Sequence, residues 1–191
     1  MPSILAFAAS TRNGSFNQSA LEVAAEGARD AGASVTLLSL KDYPLPLFDQ
    51  DLEAADGLPA NVLALRKLFA AHHALLIAVP EYNGFFPPLY KNTLDWLSRP
   101  APEDSPAPFA NKTAAVISAS PGGLGGVRGL PHAKLLLQNL GILVLPQSHA
   151  VASAHDVFSS PDFPSSRHAT SLKSIGQALA QTTTTLRNLK Y

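Results

Sequence analysis

The sequence predicts a doubly wound α/β domain built on one parallel sheet of five strands. Three observations carry this. Short apolar runs recur at residues 3–8, 34–39, 74–79, 113–118 and 142–145. Each is continuously rather than alternately hydrophobic, as expected of strands covered on both faces. Segments with helical spacing lie between the runs, and such alternation argues for parallel strands joined by right-handed crossovers. The third observation is size. A chain of 191 residues, 46% hydrophobic and 15% charged, suits one domain over residues 1–191 and excludes a disordered chain.

The first strand runs into polar Ser10-Thr11-Arg12, so the apolar N-terminus reads as a buried strand, not a signal peptide. A helix over 17–31 carries Leu21, Ala24, Ala25 and Ala28 on one face, with Gly32 as its C-cap. A helix over 60–72 places Val62, Leu65, Leu68 and Phe69 at helical spacing. Helices over 89–97 and 127–140 follow the third and fourth strands. The last helix, over 165–189, carries Leu172, Ile175, Leu179 and Leu186, and Thr182–Thr185 weakens its far end. Residues 41–59 and 150–164 read as long irregular stretches, and 100–108 as a Pro-rich surface excursion.

Lys and Arg number 14, as do Asp and Glu, so no general field favours nucleic acid or anionic lipid. With no cysteine, disulfides, thiolate catalysis and Cys-based metal sites are excluded. His72, His73, His132, His149, His155 and His168 are scattered without ligand spacing, and Glu53, Asp56, Glu103 and Asp104 read as solvated loop acids. No run is long enough to span a membrane, and a cytoplasmic protein is the expectation. P-loop, dinucleotide-type glycine and nucleophile-elbow motifs are absent.

Three loops follow the carboxyl ends of strands, where open α/β sheets bind ligands. The first is Ser10-Thr11-Arg12-Asn13-Gly14-Ser15-Phe16-Asn17, between a buried strand and a helix start. A helix N-terminus attracts phosphate, short polar side chains surround it, and Arg12 adds a permanent charge with a fork of donors. Simple N-capping by Ser15 or Asn17 with a solvated Arg12 is the other reading. The second loop is Pro80-Glu81-Tyr82-Asn83-Gly84, leading to Phe85 and Phe86. It offers an aromatic face and backbone donors to a planar ring. Trp96 and Phe86 read as core, and Lys91 with Asp95 as an i,i+4 pair. The third loop places Ser118 and Ser120 before Gly122, Gly123, Gly125 and Gly126, where backbone can approach a ligand closely.

The first loop, with Pro80-Glu81-Tyr82-Asn83, Lys91-Asn92 and Leu94-Asp95-Trp96, resembles the NADPH-dependent FMN reductase family. The resemblance runs from the first strand to about Pro146. It implies a flavodoxin-like sheet of order 2-1-3-4-5. It implies FMN as cofactor, with Ser10, Arg12, Ser15, Phe16 and Asn17 at the phosphate. Pro80, Glu81, Tyr82, Asn83 and Gly84 would border the isoalloxazine, and Ser118, Ser120, Gly122 and Gly123 its far edge. Arg128 would reach a nicotinamide-side phosphate or cap the site. The implied activity passes hydride from NADPH or NADH to FMN and then to a small-molecule acceptor such as a quinone, azo compound, flavin or metal ion. No catalytic side chain is required. A homodimer or homotetramer is also implied, with Phe85, Phe86 and Tyr90 as exposed interface aromatics. An electron carrier or redox sensor without turnover is the alternative. The chain departs from the family in having Ala9 where Gly is common, and Pro88 in place of Gly, which removes an N–H donor at a helix entrance.

Overall fold

A computed structural model describes residues 1–100 and 106–189. The strands are β1 (Ser3–Ala8), β2 (Ser34–Leu38), β3 (Ala74–Ala78), β4 (Thr113–Ala119) and β5 (Leu143–Val151). They form one sheet of order β2-β1-β3-β4-β5, parallel throughout, the order expected. The helices are α1 (Phe16–Asp30), α2 (Gln50–Asp56), α3 (Ala60–Ala71), α4 (Pro88–Leu97), α5 (Gly129–Asn139), α6 (Ala154–Ser159) and α7 (Arg167–Asn188).

Alternate strand residues face opposite layers, so the sheet has two cores. Ile4, Ala6, Ala8, Leu76 and Ile117 pack with α1 and α7, while Leu5, Phe7, Leu75, Ile77 and Val116 pack with α3, α4 and α5. The α1–α7 contact is close because it is made of small residues. A Cβ on Gly176 would lie 1.8 Å from the Ala24 carbonyl oxygen, and one on Gly27 2.2 Å from that of Lys173.

The fifth strand departs from its expected span of 142–145. The apolar run ends at Pro146, which cannot donate to the ladder, and the β4–β5 register shifts there. Pairing resumes at Val116 with Ser148 and continues to Ala119 with Val151, through polar residues that carry no core signal. The stretch 150–164 is thus largely ordered: strand end, α6, and a 3₁₀ turn at Phe163–Ser165. The stretch 41–59 likewise contains α2, whose N-cap Asp49 accepts from Asp51 N at 2.8 Å.

That same stretch is strapped to α4. Asn92 accepts from Phe48 N at 2.7 Å and donates to the Pro46 carbonyl at 2.8 Å, to which the buried Trp96 also donates. Glu53 is not solvated, as the sequence suggested, but paired with Arg99 at 2.8 Å. Glu103 and Asp104 lie outside the described residues. The far end of α7 stays helical through its threonines, since Thr183, Thr184 and Thr185 each donate to the carbonyl four residues back. His72 and His73 lie beyond α3, not within it. No helix among the described residues is long and apolar enough to cross a membrane.

Candidate functional site

The carboxyl ends of β1, β3 and β4 open onto a cleft of about 140 Å³. Ser10, Arg12, Ser15, Phe16 and Asn17 form one wall. Pro80, Glu81 and Tyr82 form the other, and Ala119, Ser120 and Pro121 at the end of β4 complete the lining. A second depression of about 240 Å³ lies across Arg12 toward β2, lined in part by Thr11, Gln18, Ser39 and Lys41. The first and second loops meet because β1 and β3 are neighbours and the chain crosses from one side of β1 to the other, which opens a crevice at that point.

The N-terminus of α1 is bare of internal anions. Its N-cap Ser15 makes no side-chain capping bond, and its first turn holds no acid. By contrast, α2 begins with Asp49, Asp51 and Glu53. The first-turn N–H groups of any α-helix lack intrahelical acceptors and carry the positive end of the dipole. Arg12 is exposed and has no carboxylate partner among the described residues. Its guanidinium sits 5.3 Å from the Phe16 ring centroid, and Phe16 stacks on Phe158 at 6.2 Å. Lys41 donates to Asn13 Oδ1 at 3.2 Å, a second cation beside the first. Open N–H groups, two hydroxyls and two cations without acids make a donor set suited to a phosphate dianion.

Asn17 does something other than the sequence suggested. Its side chain is buried and committed to β4: Nδ2 donates to the Ala119 carbonyl at 2.8 Å, and Oδ1 accepts from Ala119 N at 3.0 Å. Only its backbone N–H is left to face an anion. Ser118 is also displaced from its expected role. Residues alternate along β4, so Ser118 faces away from α1; it is fully buried beneath Gly126, and its Oγ has no hydrogen-bond partner among the described residues. Ser120 lines the cleft and accepts from Gly122 N at 3.2 Å, whereas Gly122 and Gly123 lie exposed beyond Pro121.

The second loop folds back on itself. Tyr82 and Phe85 exchange backbone bonds of 2.8 and 3.0 Å around Asn83 and Gly84, both with positive φ. Asn-Gly is the pair that such a turn demands. These two residues therefore shape the loop and do not line the cleft. The turn leaves the Tyr82 ring 55% exposed beside the cleft. Tyr90, expected at the surface, is fully buried and donates to the Ala133 carbonyl at 3.0 Å, which leaves Phe85 as the exposed aromatic of that trio.

Glu81 anchors this loop to α5. Its side chain is 7% exposed and accepts from Arg128 N at 2.9 Å, from Arg128 Nε at 2.8 Å and from Gly129 N at 3.2 Å. Arg128 is thus held in an ion pair with Glu81 through Nε and Nη2, while its side chain stays 60% exposed. Burial alone would raise the Glu81 carboxyl, but the Arg128 and Gly129 hydrogen bonds outweigh it and hold the pKa below the ordinary 4.5. A depressed carboxyl contributes stability that is present above its ordinary value and is lost as pH falls through the folded one. Denaturant melts of wild type and Glu81→Gln should therefore differ most near neutrality and converge as pH falls past the ordinary carboxylate value and then through the lower folded one. A difference that does not change with pH would refute this ion pair.

Sequence reasoning missed Lys41, although strand order alone puts the end of β2 beside the first loop. A roomier cavity of about 500 Å³ lies at the opposite, amino end of the sheet and touches none of the expected residues.

A model of the NADPH-dependent FMN reductase family matches residues 2–156. An NAD(P)H-dependent FMN reductase of Pseudomonas aeruginosa is 36% identical over 156 residues, 81% of this chain and 80% of that protein. A quinone reductase of Escherichia coli is 35% identical over 137 residues, 71% of this chain and 69% of that protein. Among solved structures, the flavoenzyme NAD(P)H:(acceptor) oxidoreductase of Paracoccus denitrificans superposes with a TM-score of 0.78 at 25% identity, covering 97% of this chain and 98% of that one.

Proposed function

The chain belongs to the NADPH-dependent FMN reductase family, and from that premise we propose that it carries electrons from NAD(P)H to a quinone-type acceptor at the carboxyl edge of the sheet. It is an oxidoreductase, with FMN as its cofactor and NAD(P)H as co-substrate. FMN held at this edge supplies two-electron exchange between a nicotinamide donor and a second substrate. The observation that carries the placement is the acid-free N-terminus of α1, with Arg12, which has no carboxylate partner among the described residues, beside it, facing the Pro80–Tyr82 loop.

In this reading Arg12, Ser10, Ser15 and the first N–H groups of α1 grip the phosphate. A cleft of about 140 Å³ is too small to enclose a flavin, so the ring lies on the outer face of the second loop, against Tyr82. Glu81 keeps that loop in place through α5, and the Asn83-Gly84 turn sets its height. Ser120, Gly122 and Gly123 border the ring's far edge, where the third loop offers backbone and a hydroxyl but no charge. A ring so exposed is open to a nicotinamide and then to an acceptor in succession, and positioning is the protein's main contribution to rate. Phe85, Leu124, Val127 and Leu135 are exposed large apolar side chains, which supports a homo-oligomer that covers them. Residues 1–191 act as one FMN-binding domain, since α7 packs along α1 beyond the end of the family match. A cytoplasmic location completes the proposal.

Anaerobic reconstitution tests it. Protein loaded with FMN should lose its visible flavin band on addition of NADPH or NADH and regain it with a soluble quinone. Bound flavin that stays oxidised with both nucleotides would overturn the turnover reading. A quinone that fails to restore the band, where a second flavin or an azo compound succeeds, would overturn the acceptor.

A further inference from the structure

At the amino end of the sheet, about 20 Å from the cleft by the length of a six-residue strand, lies the cavity of about 500 Å³ noted above. Its lining includes His73, Asn111, Lys112, Thr113, Thr183 and Arg187. No acid lines it among the described residues. Its two charged side chains, Lys112 and Arg187, are both cations. Lys112 is only 5% exposed and spends one N–H on the His72 carbonyl, which leaves two for the cavity. Arg187 uses Nη1 on the Met1 carbonyl at 3.0 Å and keeps the rest of its fork.

His73 completes the set through its tautomer. Nδ1 accepts from Ser3 N at 3.0 Å, so the ring is neutral and its remaining proton sits on Nε2. Burial first, then Arg187, Lys112, His72 and the chain's amino terminus, push its pKa below the ordinary value and keep it neutral. The threonines contribute no competing charge: Thr183 donates to Leu179 and receives the Thr113 hydroxyl at 2.7 Å. A buried ammonium and a guanidinium that share a cavity repel one another, and no carboxylate among the described residues lines it to neutralise them.

We propose that this cavity is a binding site for a small molecule bearing a phosphate or carboxylate group, no larger than a mononucleotide, gripped by Arg187, Lys112 and the His73 Nε2–H. The volume falls within the range of ordinary ligand pockets. The site is separate from the flavin cradle and does not depend on it.

The test is calorimetric titration of the full protein saturated with FMN, using inorganic phosphate, adenosine monophosphate and citrate as probes. One site per chain is expected for at least one probe, with Arg187→Gln weakening it tenfold or more and Arg12→Ala leaving it unchanged. Tighter binding of the phosphate probes or of citrate would name the head group. Lys112→Met should weaken it as well, but Arg187 is exposed and gives the cleaner variant. Absence of saturable binding for all three probes would overturn the proposal. So would binding that survives Arg187→Gln, or binding that disappears with Arg12→Ala.

Discussion

Arg12→Ala is expected to leave the fold standing and remove most of the protein's grip on FMN. The guanidinium supports little else: one long 3.4 Å contact to the Asn13 carbonyl and an exposed approach to the Phe16 ring. Thermal stability should therefore shift by no more than about 0.5 kcal/mol, as for a surface substitution. The cofactor would lose a charge-assisted fork to its phosphate. Hydrogen bonds to charged groups contribute about 1.5–3 kcal/mol, so the dissociation constant should rise about 10- to 150-fold. Arg12→Lys should recover part of this, because a point charge remains but the fork does not. Quenching of flavin fluorescence on titration measures each. An Arg12→Ala constant within twofold of wild type would remove the cradle from the first loop.

Gly176→Ala should be among the most damaging single substitutions in the chain although it adds one methyl group. The new Cβ would stand 1.8 Å from the Ala24 carbonyl oxygen and 2.8 Å from Ala28 N, both backbone atoms that cannot rotate away. Helix α7 would have to lift from α1, opening the core where Leu21, Ala24, Leu172 and Leu179 meet. A loss of about 3 kcal/mol follows, at the upper end of overpacking penalties, or about 6–12 °C in melting temperature for a chain this long. Gly123→Ala is the control, since nothing lies within 4 Å of its Cβ position and its φ is ordinary. A Gly176→Ala melting curve that superposes on wild type would show that the two helices are not in contact in solution.

The strands were legible because apolar continuity is a strong signal, and the strand order came from the family resemblance. What stayed hidden was structure whose signal is polar. The second half of β5 carries Ser148 and His149 at a sheet edge, where one face meets solvent. α2 has no buried residue at all, so periodicity could not reveal it, though Asp49 and Gly57 mark its ends. In the site, residue types announced the loops but not the direction of each side chain. Asn17 and Ser15 are equally good phosphate donors on paper. Only the crossing of α1 over β4 decides that Asn17 turns inward to Ala119. Lys91, Asn92 and Trp96, which carry much of the resemblance, hold α4 and the 41–59 stretch rather than line the cleft.

The paired bonds from Asn17 to Ala119 also bear on how quickly the protein takes up its cofactor. They fasten the start of α1 to the strand that bears the third loop, as a rivet joins two plates. The first wall cannot swing away from β4 without breaking both bonds, and the bonds from Glu81 to Arg128 and Gly129 hold the second. The cleft is therefore already in its receiving shape when empty, and little conformational freedom remains to be lost on binding. Uptake should then be a single bimolecular event, its rate proportional to flavin concentration, with no slower closing phase behind it.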